Sequence, residues 1–460
     1  MRRFRPIVLA AGLSLCLSLP LRSQDSHYWT NQYGTRATLL GGAVIGSVLD
    51  LSATYYNPGG LSLIDKPGTL MAAKVMQYPR VGLAGGGPES VSLRAFSPGP
   101  APTLLAGTIR LRGLRNHKFA FSYLARQDAK LGVSISEAGL RDIFPDAPGE
   151  EDFVTQFRLD QKVSEHWLGL TWSYKVSKHI GIGVTQYLAV RSHWSTLQES
   201  IETRTQANHI AMAFGSRQYS YIHTRTLWKI GVAADFKDLT LGLTLTTPSL
   251  DIGGKGTTGM NSTLAGLDTD GDGAPDDYLA ADYTDGLDSY FQTPFSIAAG
   301  MTFKIQKIRI YWSTEWFAAV EPYTVVDAGD FPAQSTGETL STDVTHEFAP
   351  VLNFGMGLEW FYSSRFKGYG SFTTDYSAKK TGTTTNLSLT DWDIFHVVTG
   401  GELKLKKSSL TLGLGYSFGS RELGRRIGVL PQGGLDGLGD PFQAMEFRYA
   451  IYKMIVGFAF

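Results

Sequence analysis

Along most of the chain, apolar residues alternate one for one with small polar ones. Leu239, Leu241, Leu243 and Leu245 are separated by Thr240, Gly242 and Thr244. Leu410, Leu412, Leu414, Tyr416 and Phe418 are separated by Thr411, Gly413, Gly415 and Ser417, and Phe119, Phe121 and Tyr123 by Ala120 and Ser122. Successive side chains of a strand point to opposite faces, so each stretch predicts a β-strand with one greasy face and one face of Thr, Ser and Gly. The polar face of a soluble sandwich would carry more charge. A wall that meets lipid outside and encloses a small-residue lumen accounts better for the pattern.

Six short, polar, often basic connections join such stretches tightly: 113–116, 175–178, 236–238, 304–307, 363–365 and 406–408. Seven longer, Gly-rich and acidic connections fall near 80–102, 127–157, 200–216, 249–292, 319–344, 379–390 and 420–441. Short turns at one rim and long loops at the other are the arrangement of outer-membrane barrels. With both termini at the short-turn rim, this spacing predicts fourteen strands. The expected fold is therefore all-β, a 14-stranded antiparallel transmembrane β-barrel over residues 68–460, with strand 1 around 69–78 and a ragged stretch at 190–222. The last strand alternates through Tyr452, Met454, Val456 and Phe458 to a terminal Phe460. So apolar a chain end is acceptable where one face meets lipid. It resembles the C-terminal signature read by the barrel-assembly machinery, which makes that machinery an expected partner through Phe460.

The first 67 residues break the pattern. Arg2, Arg3 and Arg5 precede an apolar run from Pro6 to Leu21, so residues 1–23 read as a cleaved secretory signal peptide. The only cysteine, Cys16, lies inside it, which leaves the mature chain no disulfide and no thiolate metal site. Residues 24–67 hold a Gly-rich, largely apolar stretch, Tyr33 to Leu61, that is too irregular for a strand and too broken for a long helix. Asn57-Pro58-Gly59-Gly60 is a strong turn signal. An apolar segment of this kind has to be covered, and the barrel is the available cover.

Gly34-x-Arg36, Gly41-Gly42-Ala43, Asp50 and Thr54-Tyr55-Tyr56-Asn57-Pro58-Gly59-Gly60-Leu61 resemble the N-terminal hatch of the FadL/TodX-type outer-membrane transporters of long-chain fatty acids and other hydrophobic compounds. The resemblance implies a hatch over 24–67 that plugs the lumen, with Arg36, Gly41, Gly42, Asp50, Asn57, Pro58 and Gly59 in hatch or gating roles. The family has Asn-Pro-Ala where this chain has Asn57-Pro58-Gly59, which puts the hatch geometry at that turn in question. The implied location is the outer membrane of a Gram-negative bacterium, surrounded by its lipid.

Composition narrows the function further. Forty-two basic residues balance forty-two acidic ones, which is no nucleic-acid binder's charge. The nine histidines are scattered, and there is neither an H-E-x-x-H nor a G-x-S-x-G motif, so no enzyme activity and no required cofactor is expected. Asp268, Asp270, Asp272 and Asp276, with Gly273, follow the spacing of a calcium loop, although Leu279 occupies the position of the usual bidentate Glu. They form either a calcium site in an external loop or a solvated turn. Arg110 and Arg112 share the parity opposite Ile109 and Leu111, and are expected in the lumen, paired with a carboxylate head group or with a hatch acid such as Asp50. Two functions follow. One is passive outer-membrane transport of hydrophobic molecules, long-chain fatty acids or hydrocarbons. The other is a non-transporting barrel scaffold of a protein secretion system.

Overall fold

The computed structural model describes residues 27–47, 50–65, 68–72, 76–84, 90–96, 103–111, 113–114, 116–141, 149–204, 208–266, 274–275, 277–378, 392–406, 408–423 and 445–459. Fourteen strand positions follow one another in chain order. They are β1 (Thr69–Ala72 and Met76–Ala84), β2 (Ser90–Phe96 and Leu104–Ile109), β3 (His117–Arg141), β4 (Glu151–Lys175) and β5 (Ile180–Arg204). β6 (Ile210–Asp235), β7 (Leu239–Thr246 and Leu250–Ala265), β8 (Tyr278–Asp288 and Ser296–Ile305), β9 (Ile308–Phe317) and β10 (Val351–Phe361) come next. β11 (Phe366–Asp375), β12 (Ile394–Lys404), β13 (Ser409–Leu423) and β14 (Met445–Ala459) complete the set.

Each pairs antiparallel with its successor in one large sheet. The lower piece of β1 pairs with β2 (Thr69↔Gly107 to Ala72↔Leu104), and its upper piece pairs with β14 (Met76↔Met454 to Ala84↔Glu446). The first and last strands are thus hydrogen-bonded neighbours, and the order of neighbours returns on itself. This arrangement is how a barrel disposes of the exposed edges that would otherwise recruit other strands. All six predicted turns fall between paired strands.

The wall is lopsided. β3, β4 and β5 each have 25 residues and β6 has 26, whereas β9 and β11 have 10 and β10 and β12 have 11. On β10, one of the short strands, the outward row is apolar from end to end, with Leu352, Phe354, Met356, Leu358 and Trp360. At about 3.3 Å per residue and a tilt of about 40°, such a row is roughly 20–25 Å tall, the height of a barrel's apolar band. The long strands continue above the band with the opposite dress. Inward-facing Leu131, Val133, Ile135, Phe153, Phe157 and Leu159 are buried, and outward-facing Arg158 and Lys162 are exposed.

Much of 127–157, 200–216 and 249–292 was expected to be loop and is strand. Above the band the outer face meets water, so charged residues mark it and mimic a loop's composition. The apolar residues Ile210 to Phe214 are likewise the start of β6, with Ala211 and Ala213 turned inward and buried. No helix among the described residues is long and apolar enough to cross a membrane.

Inside the ring lies the segment 27–65. It has two short helices, α1 (Thr35–Leu39) and α2 (Ala53–Tyr56), and a 3-10 turn at Pro58–Leu63. Its Tyr33, Leu39, Leu40, Leu51, Ala53 and Leu61 form one buried cluster with inward residues of the wall, among them Leu124, Tyr187, Leu227 and Tyr311. Above the ring, between β9 and β10, Val320–Val326 pairs with Val344–Phe348 to make a hairpin that packs on Tyr219, Tyr221 and Phe291 and caps this part of the mouth.

Candidate functional site

The turn at Asn57 fixes one half of the inner segment to the wall. Asn57 is fully buried. Its Nδ2 donates to the carbonyls of Ile45 (3.1 Å) and Val232 of β6 (2.9 Å), and its Oδ1 accepts from Gly59 N (3.1 Å). Pro58 opens the 3-10 turn with the φ that proline already has. The wall approaches closely here: a Cβ added at Gly59 would lie 2.6 Å from Gly181 O and 2.7 Å from Gly231 O. This accounts for glycine at the position where the family has alanine. The wall's small lumenal residues bind the segment's backbone. Thr185 Oγ1 and Tyr187 OH donate to Thr54 O (2.8 and 2.7 Å), and Thr244 Oγ1 donates to Tyr56 O (2.9 Å).

The other half is held mainly by side chains. Gly41 and Gly42 take positive φ (60° and 78°), and Gly41 O accepts from Thr373 Oγ1 at 2.7 Å. Asp375 accepts from Trp29 N (2.9 Å) and Thr30 Oγ1 (2.6 Å). Arg36 reaches the lower lumen, where it donates to Tyr311 OH and to Glu359 at 2.9 Å. Glu359, fully buried, also accepts from Tyr311 OH (2.6 Å) and lies 3.6 Å from Arg309 and 3.8 Å from Lys367. Asp50 has a local job, accepting from Ser52 N at 2.8 Å and from Ser52 Oγ.

Above the inner segment sits an arginine cluster. Glu165 of β4 receives Arg191 of β5 (2.9 Å), Arg225 of β6 (2.7 Å) and Trp167 Nε1 (2.6 Å). The guanidiniums of Arg191 and Arg225 lie 4.3 and 4.8 Å from the centre of the Phe291 ring. Arg126 joins from the bulge of β3 between Ala125 and Gln127, donating to Tyr33 OH (3.0 Å) and Tyr55 OH (2.8 Å) with its guanidinium 4.9 Å from the Trp167 ring. Two guanidiniums therefore meet one carboxylate, and the third, Arg126, lines the same cavity while bonded to the two tyrosines. Arg225 Nη1 and Arg126 Nε are buried without a hydrogen-bond partner among the described residues. The cavity between them is lined by Tyr28, Trp167, Phe291 and Phe348. Tyr28 also lines a second cavity below, with Trp29, Tyr55, Tyr56, Lys229 and Glu315. Aromatic surface with a few unmet donors is the composition of a site for an apolar body bearing an acceptor or an anion.

Above the apolar band two histidines are buried, His346 of the cap hairpin and His193 of β5. His346 packs among Phe291 and Phe348 (ring centroids 5.8 Å from each) and Tyr323 (6.2 Å), and neither of its ring nitrogens has a partner among the described residues. Burial, with Arg191 nearby, pushes its pKa down to about 3. His193, bonded to Gln161 at 2.9 Å, is also held well below the usual histidine value by burial, Arg191 and His346.

The structure redistributes the residues predicted from sequence. Of the residues expected in the hatch, all of which lie in the inner segment, Arg36, Gly41, Asn57, Pro58 and Gly59 touch the wall, whereas Gly42 and Asp50 make their contacts within the segment. Arg110 is exposed next to the Gly113 turn and is not part of the arginine cluster. Arg112, the acidic residues Asp268, Asp270, Asp272 and Asp276, and Phe460 lie outside the described residues. Sequence reading missed Arg126, Glu165, Arg191 and Arg225. Their signal was inward parity on a strand of otherwise small or apolar inward residues, as with Arg191 after Tyr187 and Ala189. Reading the upper strands as loops hid that parity.

No family model and no curated protein matches the chain. Solved structures do. The Pseudomonas putida toluene transporter TodX is 12% identical with a TM-score of 0.57, covering 93% of this chain and 98% of that one. The CymD monoaromatic hydrocarbon channel is 9% identical with a TM-score of 0.53, covering 92% and 97%. A Pseudomonas aeruginosa FadL homologue is 12% identical with a TM-score of 0.52, covering 94% and 99%. At these identities the likeness establishes a shared fold: this chain has the FadL/TodX-type barrel.

Proposed function

We propose that the protein is a passive outer-membrane transporter of hydrophobic molecules, long-chain fatty acids or hydrocarbons, with residues 24–67 as the hatch. The observation that carries this reading is the aromatic cavity with unmet guanidinium donors directly above a plugged lumen, in a wall with a continuous apolar outer band. The solute descends from the apolar inner face of the tall strands and leaves its polar end, where it has one, at Arg126, Arg191 and Arg225. Passage then requires the inner segment to yield. Its side-chain-held half, with Arg36 on Glu359, is the part whose contacts break without forcing wall and segment backbones apart. The structural neighbours named above, a toluene transporter and a monoaromatic hydrocarbon channel, support this class of solute. A pure secretion scaffold has no use for such a cavity.

The test is mass spectrometry of lipids that co-purify with the detergent-solubilised barrel, beside a variant lacking residues 24–61. Fatty acid or hydrocarbon bound to the intact protein and lost from the variant is the expected result. An empty lumen in both, with secretion components retained on gentle pull-down, would move the function to the scaffold.

A further inference from the structure

On the outer face of the tall wall, two like charges stand directly opposite each other. Lys130 of β3 is in register with Lys162 of β4, and Trp194 of β5 is the next residue along that row. Gln161 and Val163 are turned inward and buried, so Lys162 points outward; both lysines are exposed, and Trp194 is 41% exposed. Neither lysine makes an ion pair or hydrogen bond among the described residues. Like charges at directly opposed positions of adjacent strands are destabilising unless something answers them.

The protein itself answers only part. Asp128, one row below on the same face, has no basic partner among the described residues and offsets one of the two charges. Asp160, one row above, is already engaged by Arg158 at 2.8 Å. A net positive charge remains, beside an aromatic ring.

Its height is informative. The apolar outward row of β4 runs through Trp172, Leu170 and Leu168, and is closed by His166, hydrogen-bonded to Tyr123 OH at 2.8 Å. Lys162 lies six residues above Leu168, about 20 Å along the strand and about 15 Å in height at a tilt of about 40°. A lysine stem can bring its ammonium back down by about 6 Å. That places both ammonium groups at the level of the headgroup layer, where an indole ring also sits well. The short strands β9 to β12 end at the band and offer no such surface.

We propose that Lys130, Lys162 and Trp194 form a docking site on the outer wall for a phosphate-bearing lipid headgroup of the surrounding outer leaflet, with the lysines on the phosphate and the indole against the lipid's glycerol or sugar backbone. The site anchors a lipid on the tall side of the barrel only. It rests on the membrane placement given above.

The experiment is native mass spectrometry of the detergent-solubilised full chain with bisphosphorylated lipid A, and with the same glycolipid after phosphate removal. The wild type is expected to retain the bisphosphorylated form, and the Lys130→Gln/Lys162→Gln variant to need about tenfold more of it or greater. Discrimination between the two lipids should vanish in the variant. Heat-modifiable gel mobility shows that the variant is folded, and the single variants Lys130→Gln and Lys162→Gln serve if the double one is not. Equal retention by wild type and variant, or equal retention of both lipids by the wild type, overturns the site. A chain that stays soluble without detergent and does not enter vesicles would instead overturn the membrane placement, and the site with it.

Discussion

Replacing Gly59 by Ala introduces the residue that FadL/TodX-type proteins carry at this turn, and the structure predicts that it loosens the inner segment proposed as the hatch. The added methyl would sit 2.6 Å from Gly181 O, 2.7 Å from Gly231 O and 3.0 Å from Ala233 N. Real carbon–oxygen contacts are rarely closer than about 3.2 Å, so relief needs a shift of about half an ångström or more between the segment and two strands at once. Those atoms are backbone, hydrogen-bonded across β5 and β6, and no flexible side chain can turn away. Overpacking of this kind costs about 1–3 kcal/mol. At about 1.4 kcal/mol per decade, the ratio of seated to unseated hatch should fall by roughly 5- to 150-fold. Amide hydrogen exchange at Gly59 and Gly60 should accelerate by that factor, and purified barrels in liposomes should leak a small dye faster. Gly68→Ala, where nothing lies within 4 Å of the new methyl, is the matched control and should change neither. A Gly59→Ala protein as tight and as protected as wild type would refute the close-approach account of this turn.

Arg225→Gln should weaken binding of a carboxylate-bearing lipid by about tenfold or more while leaving a neutral hydrocarbon unchanged, because hydrogen bonds to charged groups contribute about 1.5–3 kcal/mol; competition binding with an oleate probe and with toluene separates the two. Arg36→Met leaves the buried Glu359 its tyrosine hydrogen bonds but only the more distant cations at 3.6 and 3.8 Å, and is expected to raise single-channel conductance in planar bilayers; unchanged conductance would remove Arg36 from the gate. For the cap, the sign of the pH effect follows from a neutral His346 whose folded pKa is about 3 against about 6.5 when exposed. Its contribution is intact above pH 6.5 and is lost progressively as pH falls toward 3, by about 1.4 kcal/mol per unit, because the opened state takes up the proton first. Protease cleavage in the 327–343 hairpin should therefore increase on acidification, and His346→Phe should flatten that profile. Leu412→Arg on the lipid face should destabilise the folded barrel by about 2–4 kcal/mol in urea titrations from lipid vesicles, whereas Thr411, turned inward, should tolerate Ser.

What the chain alone determined is what a period of two and a set of short turns can carry. Leu239 to Leu245 and Leu410 to Phe418 point outward as their alternation requires, and Thr240, Thr244, Thr411 and Ser417 are buried inside. The turns at 175–178, 236–238 and 304–307 separate paired strands, so the fourteen positions were available from spacing. The inner segment was marked by Gly34, Gly41, Gly42 and Asn57-Pro58-Gly59, because those residues announce special backbone geometry wherever they occur.

Tertiary structure decided the rest. The extent of β3 to β6 was not legible, because alternation keeps its period above the membrane but exchanges its faces: Arg158 and Lys162 outside and Phe157 and Leu159 inside look, in sequence, like a charged loop. The arginine cluster was not legible either. Arg126, Glu165, Arg191 and Arg225 are spread over a hundred residues and meet only because registers across four strands bring them to one height. Nor does the sequence say why Gly59 is glycine, since the reason is two carbonyl groups more than a hundred residues away in chain order. A local pattern fixes which way a side chain faces; which other side chains stand at its level depends on strand register, a property of the closed sheet as a whole.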